Sequence, residues 1–154
     1  IIFLTFFASS SFAAGSSSDS GSTKSLYDKA VSLIEIAKKM EAKGKIEKAN
    51  KRYKKAQKYL IKSNKNKPKR ADTLNYLGFT TRKLGDFEAG EKYYLLGLQV
   101  NPNHVGINEY LGELYVVTDR INLAKERLEV LKSCNCEEYQ ELKEIIDGTK
   151  KSKY

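Results

Sequence analysis

The sequence holds no tryptophan, one histidine, one methionine, two cysteines and two prolines in 154 residues. So few prolines exclude a proline-rich or collagen-like chain and leave long stretches in which helices can run unbroken. Scarce histidine and cysteine remove most metal-ligand sets, and no His/Cys/carboxylate group stands at metal-ligand spacing. The sequence also lacks GxSxG, GxxxxGK and GxGxxG, the turns that expose a nucleophilic serine or cradle phosphates. Neither catalysis nor a cofactor is expected. The apolar run Ile1 to Phe7 gives way to serines within ten residues, whereas about 20 apolar residues are needed to span a bilayer.

Hydrophobic residues make up 40% and charged residues 31%, a balance that suits one ordered, helix-rich domain. Twenty-eight Lys and Arg against 19 Asp and Glu give a formal charge of +9. That surplus is local. Residues 24–70 carry +13, residues 71–136 carry −2, and residues 1–23 and 137–154 carry −1 each. The basic stretch 45–70 closes on Lys65-Asn66-Lys67-Pro68-Lys69-Arg70, and its two readings are a solvated face and a surface docked on anionic lipid or envelope polymer. Tyr53 and Tyr59 are spaced for a core stripe rather than for stacking on bases.

Small residues follow the first apolar run, and Ser11 with Ala13 satisfy the signal peptidase rule for a cut before Ala14. Residues 1–13 are expected to be part of a signal peptide, 14–25 a Ser/Gly-rich tether, and the mature chain a soluble periplasmic protein. Export makes nucleic acid an unexpected partner.

From residue 71 the chain repeats with a period of 34. Leu77-Gly78 recurs as Leu111-Gly112, Phe87 as Ile121 and Tyr94 as Leu128. A weaker copy upstream holds Ile36-Ala37, Met40, Gly44-Lys45-Ile46, Ala49, Tyr53 and Ala56. It starts 41 residues before the second copy, and the seven extra residues are two helical turns. Its second helix is therefore expected to run on, over about Ile46 to Ser63. With Gly85-Asp86-Phe87 and Asn101-Pro102, this pattern resembles the tetratricopeptide repeat (TPR) family.

The resemblance implies an all-α solenoid of about three helix hairpins, 30–70, 71–104 and 105–136. Backbones would approach at Ala37, Ala49 and Ala56, at Gly78, Gly90 and Gly97, and at Gly112 and Ala124. Leu131 stands where another small residue is expected. Gly85-Asp86 would turn the second hairpin, and Thr118-Asp119-Arg120 must turn the third without glycine. Tyr139, Leu142, Ile145 and Ile146 recur at helical spacing, so 137–149 is expected to cap the last repeat and 150–154 to fray as a tail.

In this family the first helix of each repeat lines a concave groove that holds a peptide. Projection onto those helices selects Asp72, Asn75, Phe79 and Arg82 in the second repeat and Glu109, Glu113 and Val116 in the third. Phe79 would be an apolar anchor, Asn75 a holder of ligand backbone, and the glutamates attractors of basic groups. The expected function is a non-catalytic adaptor for a protein or peptide partner. A groove that seizes acidic C-termini needs cations from consecutive repeats, and only Arg82 and Lys83 stand nearby. His104 reads as a solvated loop histidine. Cys134-Asn135-Cys136 has three readings: a local disulfide pinning the turn before the capping helix, a dithiol for redox exchange or Cu(I), or thiols that are buried or pair between molecules. Small exported TPR proteins with cysteines in this turn resemble the chain and favour the first.

Overall fold

The computed structural model describes residues 24–152, which form seven helices and no strand. The expected signal peptide and most of the tether lie outside the described residues. The helices are α1 (Leu26–Glu41), α2 (Ile46–Asn66), α3 (Ala71–Lys83), α4 (Phe87–Val100), α5 (Val105–Val117), α6 (Ile121–Leu131) and α7 (Glu137–Ile146). They pair as successive hairpins, α1 with α2, α3 with α4 and α5 with α6, and α7 packs on both α5 and α6. The chain is an all-α solenoid of the TPR type.

Ser25, at the end of the expected tether, belongs to the fold. Its hydroxyl accepts from the Asp28 N–H at 3.1 Å, while the Asp28 carboxylate accepts from the Ser25 N–H at 3.2 Å. This reciprocal capping box satisfies two otherwise orphaned donors and starts α1 there. The insertion in the first repeat lengthens α2 to 21 residues against 14 for α4, so α2 continues three residues past the expected end at Ser63. Lys67, Lys69 and Arg70 then lead into α3.

Close approach dictates the small residues. Ala30, Ala37, Ala49 and Ala56 are all at most 1% exposed. A methyl built on Gly78 would come within 2.5 Å of the Tyr94 ring, one on Gly112 within 2.5 Å of Leu142, and one on Gly97 would overlap Ile107. Glycine costs about 1 kcal/mol against alanine in a helix, and at these sites alanine would force Tyr94, Ile107 or Leu142 to shift. Gly112 also shows how the cap works: Leu142 of α7 fills the space over the last first-helix glycine and is itself fully buried.

The turn without glycine is solved by Asp119, whose φ of +59° does what Gly85 does at +95° in the preceding hairpin. Asp and Asn tolerate this left-handed region better than most residues. Asn135 adopts φ +49° between the two cysteines, and Cys134 is bridged to Cys136 with their Cα atoms 5.2 Å apart. Gly148 at φ +74° reverses the chain after α7.

Thr149 to Ser152 do not fray. The Thr149 and Lys150 N–H groups both donate to the Glu144 carbonyl, and the Ser152 hydroxyl donates to Glu113.

Gly78→Ala sets a methyl against a fully buried ring. The overpacking penalty outweighs the gain in helix propensity and leaves a net loss of about 1–2 kcal/mol. Urea unfolding followed by circular dichroism checks this, and an unchanged or raised midpoint would refute the close approach.

Candidate functional site

The first helices α1, α3 and α5 carry a continuous row of aromatic and charged side chains along the face they share. Lys38 of α1 stands 5.1 Å from the centre of the Phe79 ring on α3, and its ammonium donates to the Tyr110 hydroxyl on α5 at 3.4 Å. The rings of Phe79 and Tyr110 lie 5.1 Å apart, and Tyr53 of α2 meets Phe79 edge-on at 5.8 Å. Such tilted and edge-on pairs exploit the ring quadrupoles. Phe79 is therefore 2% exposed and is part of the core rather than an open anchor.

Arg82, one turn further along α3, is also only 2% exposed. Its Nη1 donates to the Tyr110 carbonyl at 2.7 Å, and Nη2 lies 3.4 Å from a Glu113 carboxylate oxygen. Both side chains are almost wholly buried. A buried guanidinium persists because it is paired and bonded; removing either partner would strand a charge, at about 3–5 kcal/mol. A second ion pair joins α3 to α1: Lys83 donates to Glu41 at 2.5 Å, and the Tyr53 hydroxyl donates to the same carboxylate at 2.9 Å. Burial lowers the Lys83 pKa, and the bond to Glu41 opposes that shift.

Toward α7 the row turns acidic. Glu109 is 5% exposed; burial, the Glu113 charge, and then the hydrogen bond and charge of Glu141 push its carboxyl up to about 9 from 4.5. Glu109 is protonated at neutral pH and shares a hydrogen bond with Glu141. Of the two glutamates expected to attract basic groups, one is thus neutral and the other is already paired with Arg82.

The remaining residues of the expected groove are spread more widely. Asp72 is exposed, and His104 donates through Nε2 to its carboxylate at 3.1 Å. His104 is not a solvated loop residue, since its Nδ1 accepts from the Ile107 N–H at 3.1 Å and caps α5. Its side chain is only 15% exposed. Asn75 is buried beside Gly106, where a Cβ would stand 2.9 Å from the Asn75 amide nitrogen, and its Oδ1 has no hydrogen-bond partner. Val116 is half-buried against the α5–α6 core. Projection onto one helix shows which residues leave the hairpin but cannot show that the neighbouring first helix then covers them.

Lys38, Glu41, Tyr110 and Glu141 belong to the row although their types and spacing do not single them out. The first two were recoverable: the 41-residue offset between the first two repeats sets Lys38 opposite Phe79 and Glu41 opposite Arg82. Glu141 lies on the capping helix, outside the repeat, where no period points to it.

The Cys134–Cys136 bridge occupies both sulfurs, so neither the Cu(I) reading nor the dithiol-exchange reading has a free thiol at this turn. Among the described residues no cluster of three metal-ligating side chains forms, and no helix is long and apolar enough to cross a membrane. The lysines of α2, Lys51, Lys54, Lys55, Lys58 and Lys62, are all exposed.

No protein-family model matches the chain, and no curated protein does. Among solved structures, the chain is similar to the first TPR domain of Spaghetti (RPAP3) bound to the HSP90 peptide SRMEEVD. The two share 21% identity with a TM-score of 0.51, over 80% of this chain and 94% of that one. By fold the chain is a TPR-like protein.

The raised Glu109 pKa makes stability depend on pH. The contribution is intact below about pH 4.5, where folded and unfolded chains are both protonated, and is shed as pH climbs toward about 9, because only the unfolded chain ionises freely. Glu109→Gln removes that slope. The variant should exceed the parent by on the order of 2 kcal/mol at pH 8 and match it near pH 4. Urea titrations at both pH values check this, and an equal difference at the two would contradict it.

Proposed function

We propose that the chain is a non-catalytic interaction module that holds a segment of a partner protein along its first-helix face. The observation that carries this reading is the polar and aromatic row itself. Apolar packing alone would hold these helices together, and the buried ion pairs that link α1, α3 and α5 add little net stability, so we read them as fixing the geometry of that face. The structural neighbour, which holds a peptide, supports a module of this class. The acidic peptide in that neighbour does not transfer: here Lys83 is paired with Glu41, and Arg82 with Glu113.

We place the module in the cell envelope. The signal-like residues 1–13 and the Cys134–Cys136 bridge, a bond that persists in oxidising compartments, both favour export.

The test is a footprint. A partner captured from envelope extract and titrated into the labelled chain should shift backbone amide resonances along α1, α3 and α5. Lys38→Glu, which reverses a partly exposed charge beside Phe79 and Tyr110 on that face, should change binding about ten-fold, a difference of about 1.4 kcal/mol, with helix content unchanged. A footprint confined to Lys51, Lys54, Lys55, Lys58 and Lys62, with binding that collapses at physiological salt, would instead favour the basic α2 face as the docking surface.

A further inference from the structure

We propose that the outward face of α2 docks on an anionic lipid surface. The proposal concerns a different side of the molecule from the first-helix face and does not depend on that face being a partner site.

Helical spacing gathers the charge. Between Glu47 and Asp72 the sequence holds eleven Lys and Arg and no Asp or Glu. At 3.6 residues per turn, Lys51, Lys54, Lys55, Lys58, Lys62 and Lys65 fall within an arc of about 100°. The arc lies opposite the buried row Ala49, Tyr53, Ala56, Leu60 and Ser63. All six lysines are exposed, and among the described residues none of them pairs with a carboxylate. Exposed lysines elsewhere in the chain behave differently: Lys92 pairs with Glu88, Lys132 with Glu129 and Lys143 with Asp147, each three or four residues away. Solvation is served by such mixed faces. On α2 the same spacing sets lysine against lysine, at 51 and 55, 54 and 58, and 58 and 62, and like charges so placed oppose the helix. A face that keeps this repulsion is complementary to an anionic surface, which relieves it.

The chemistry of the face favours lipid over nucleic acid or an acidic protein. Every cation within the arc is a lysine, a point charge on a flexible stem, and no guanidinium fork is present there to read base edges. Tyr53 is fully buried and Tyr59 half-buried, so no open ring offers itself for base stacking. At the margin of the arc Ile61 is 51% exposed. An aliphatic side chain set among lysines suits the boundary between head groups and acyl chains, where cations and apolar groups are both accommodated. From Lys51 to Lys65 the face runs along about 20 Å of a single helix. That is a ridge to lie on a surface rather than a recess to enclose a segment of protein.

The rest of the fold fits this orientation. Residues 24–70 carry +13, whereas residues 71–136 carry −2 and 137–154 carry −1, so an anionic surface draws the α2 side toward it and repels the far end. Tyr53, on the opposite side of α2 from Lys58, meets Phe79 of the first-helix row. The lysine face therefore points away from that row, and docking through it leaves the row open.

The test is co-sedimentation of the full chain with vesicles of phosphatidylcholine alone and of an equal mixture of phosphatidylcholine and phosphatidylglycerol, at low and at physiological salt. The parent should partition more strongly onto the mixed vesicles, and salt should weaken that partition. Lys54→Gln/Lys58→Gln/Lys62→Gln should lower it on the order of 100-fold. The control Lys92→Gln/Lys125→Gln/Lys132→Gln removes as much charge from exposed lysines outside the face, and should stay within about two-fold of the parent. Circular dichroism should show equal helix content in all three chains.

Equal partition onto the two kinds of vesicle would overturn the proposal, and so would equal losses in the two variants, which would make net charge rather than this face the cause. A parent that ignores the mixed vesicles but binds polyglutamate or a DNA duplex in fluorescence polarisation would overturn the lipid reading and assign the face to an acidic polymer. None of these outcomes bears on peptide binding along α1, α3 and α5, which the resonance footprint reads separately.

Discussion

Two helices can stack backbone to backbone only where no side chain stands between them, and this protein depends on that constraint. Gly78 admits the Tyr94 ring, Gly97 admits Ile107 and Gly112 admits Leu142. These contacts fix how far apart the hairpins sit and in what register. The period of 34 residues is the sequence image of this spacing: each hairpin must return to the same depth before the next can pack. The capping helix obeys the same rule, because Leu142 does for the last repeat what the next repeat would otherwise do.

Once the spacing is set, the first helices lie near enough for long side chains to reach across. Arg82 then spans from α3 to the Tyr110 carbonyl and to Glu113, and Lys83 reaches Glu41. The low dielectric around these groups strengthens each pair and penalises any group left alone, which is why Glu109 keeps its proton. A row built this way is rigid at its base and polar along its length, with its charges held in fixed rather than wandering positions. The formal charge of +9 has little to do with it. The surplus sits on the exposed lysines of α2, whereas the first-helix face balances its charges internally.

Much of this was legible in the residues. The hairpins, the long α2, the cap and its buried face all follow from apolar spacing, and the seven-residue insertion appears as two added helical turns. Other features were hidden for identifiable reasons. Asp119 takes the place of a turn glycine because aspartate tolerates a positive φ, a property its position alone does not announce. His104 became a helix cap because its ring nitrogen falls within reach of the Ile107 N–H, and imidazole is not among the usual capping groups. Ser25 looked like tether because only its pairing with Asp28 distinguishes it from the serines before it.

The sequence by itself determined the helices, their pairing into hairpins and the places where backbones meet, since those depend on contacts between residues a few turns apart. Tertiary structure decided which side of each first helix stays open. Phe79, Arg82, Glu109 and Glu113 all leave their own hairpin, yet whether they meet solvent depends on neighbours 26 to 41 residues away. Those contacts arise from the angle and distance at which hairpins stack, and no local pattern encodes them.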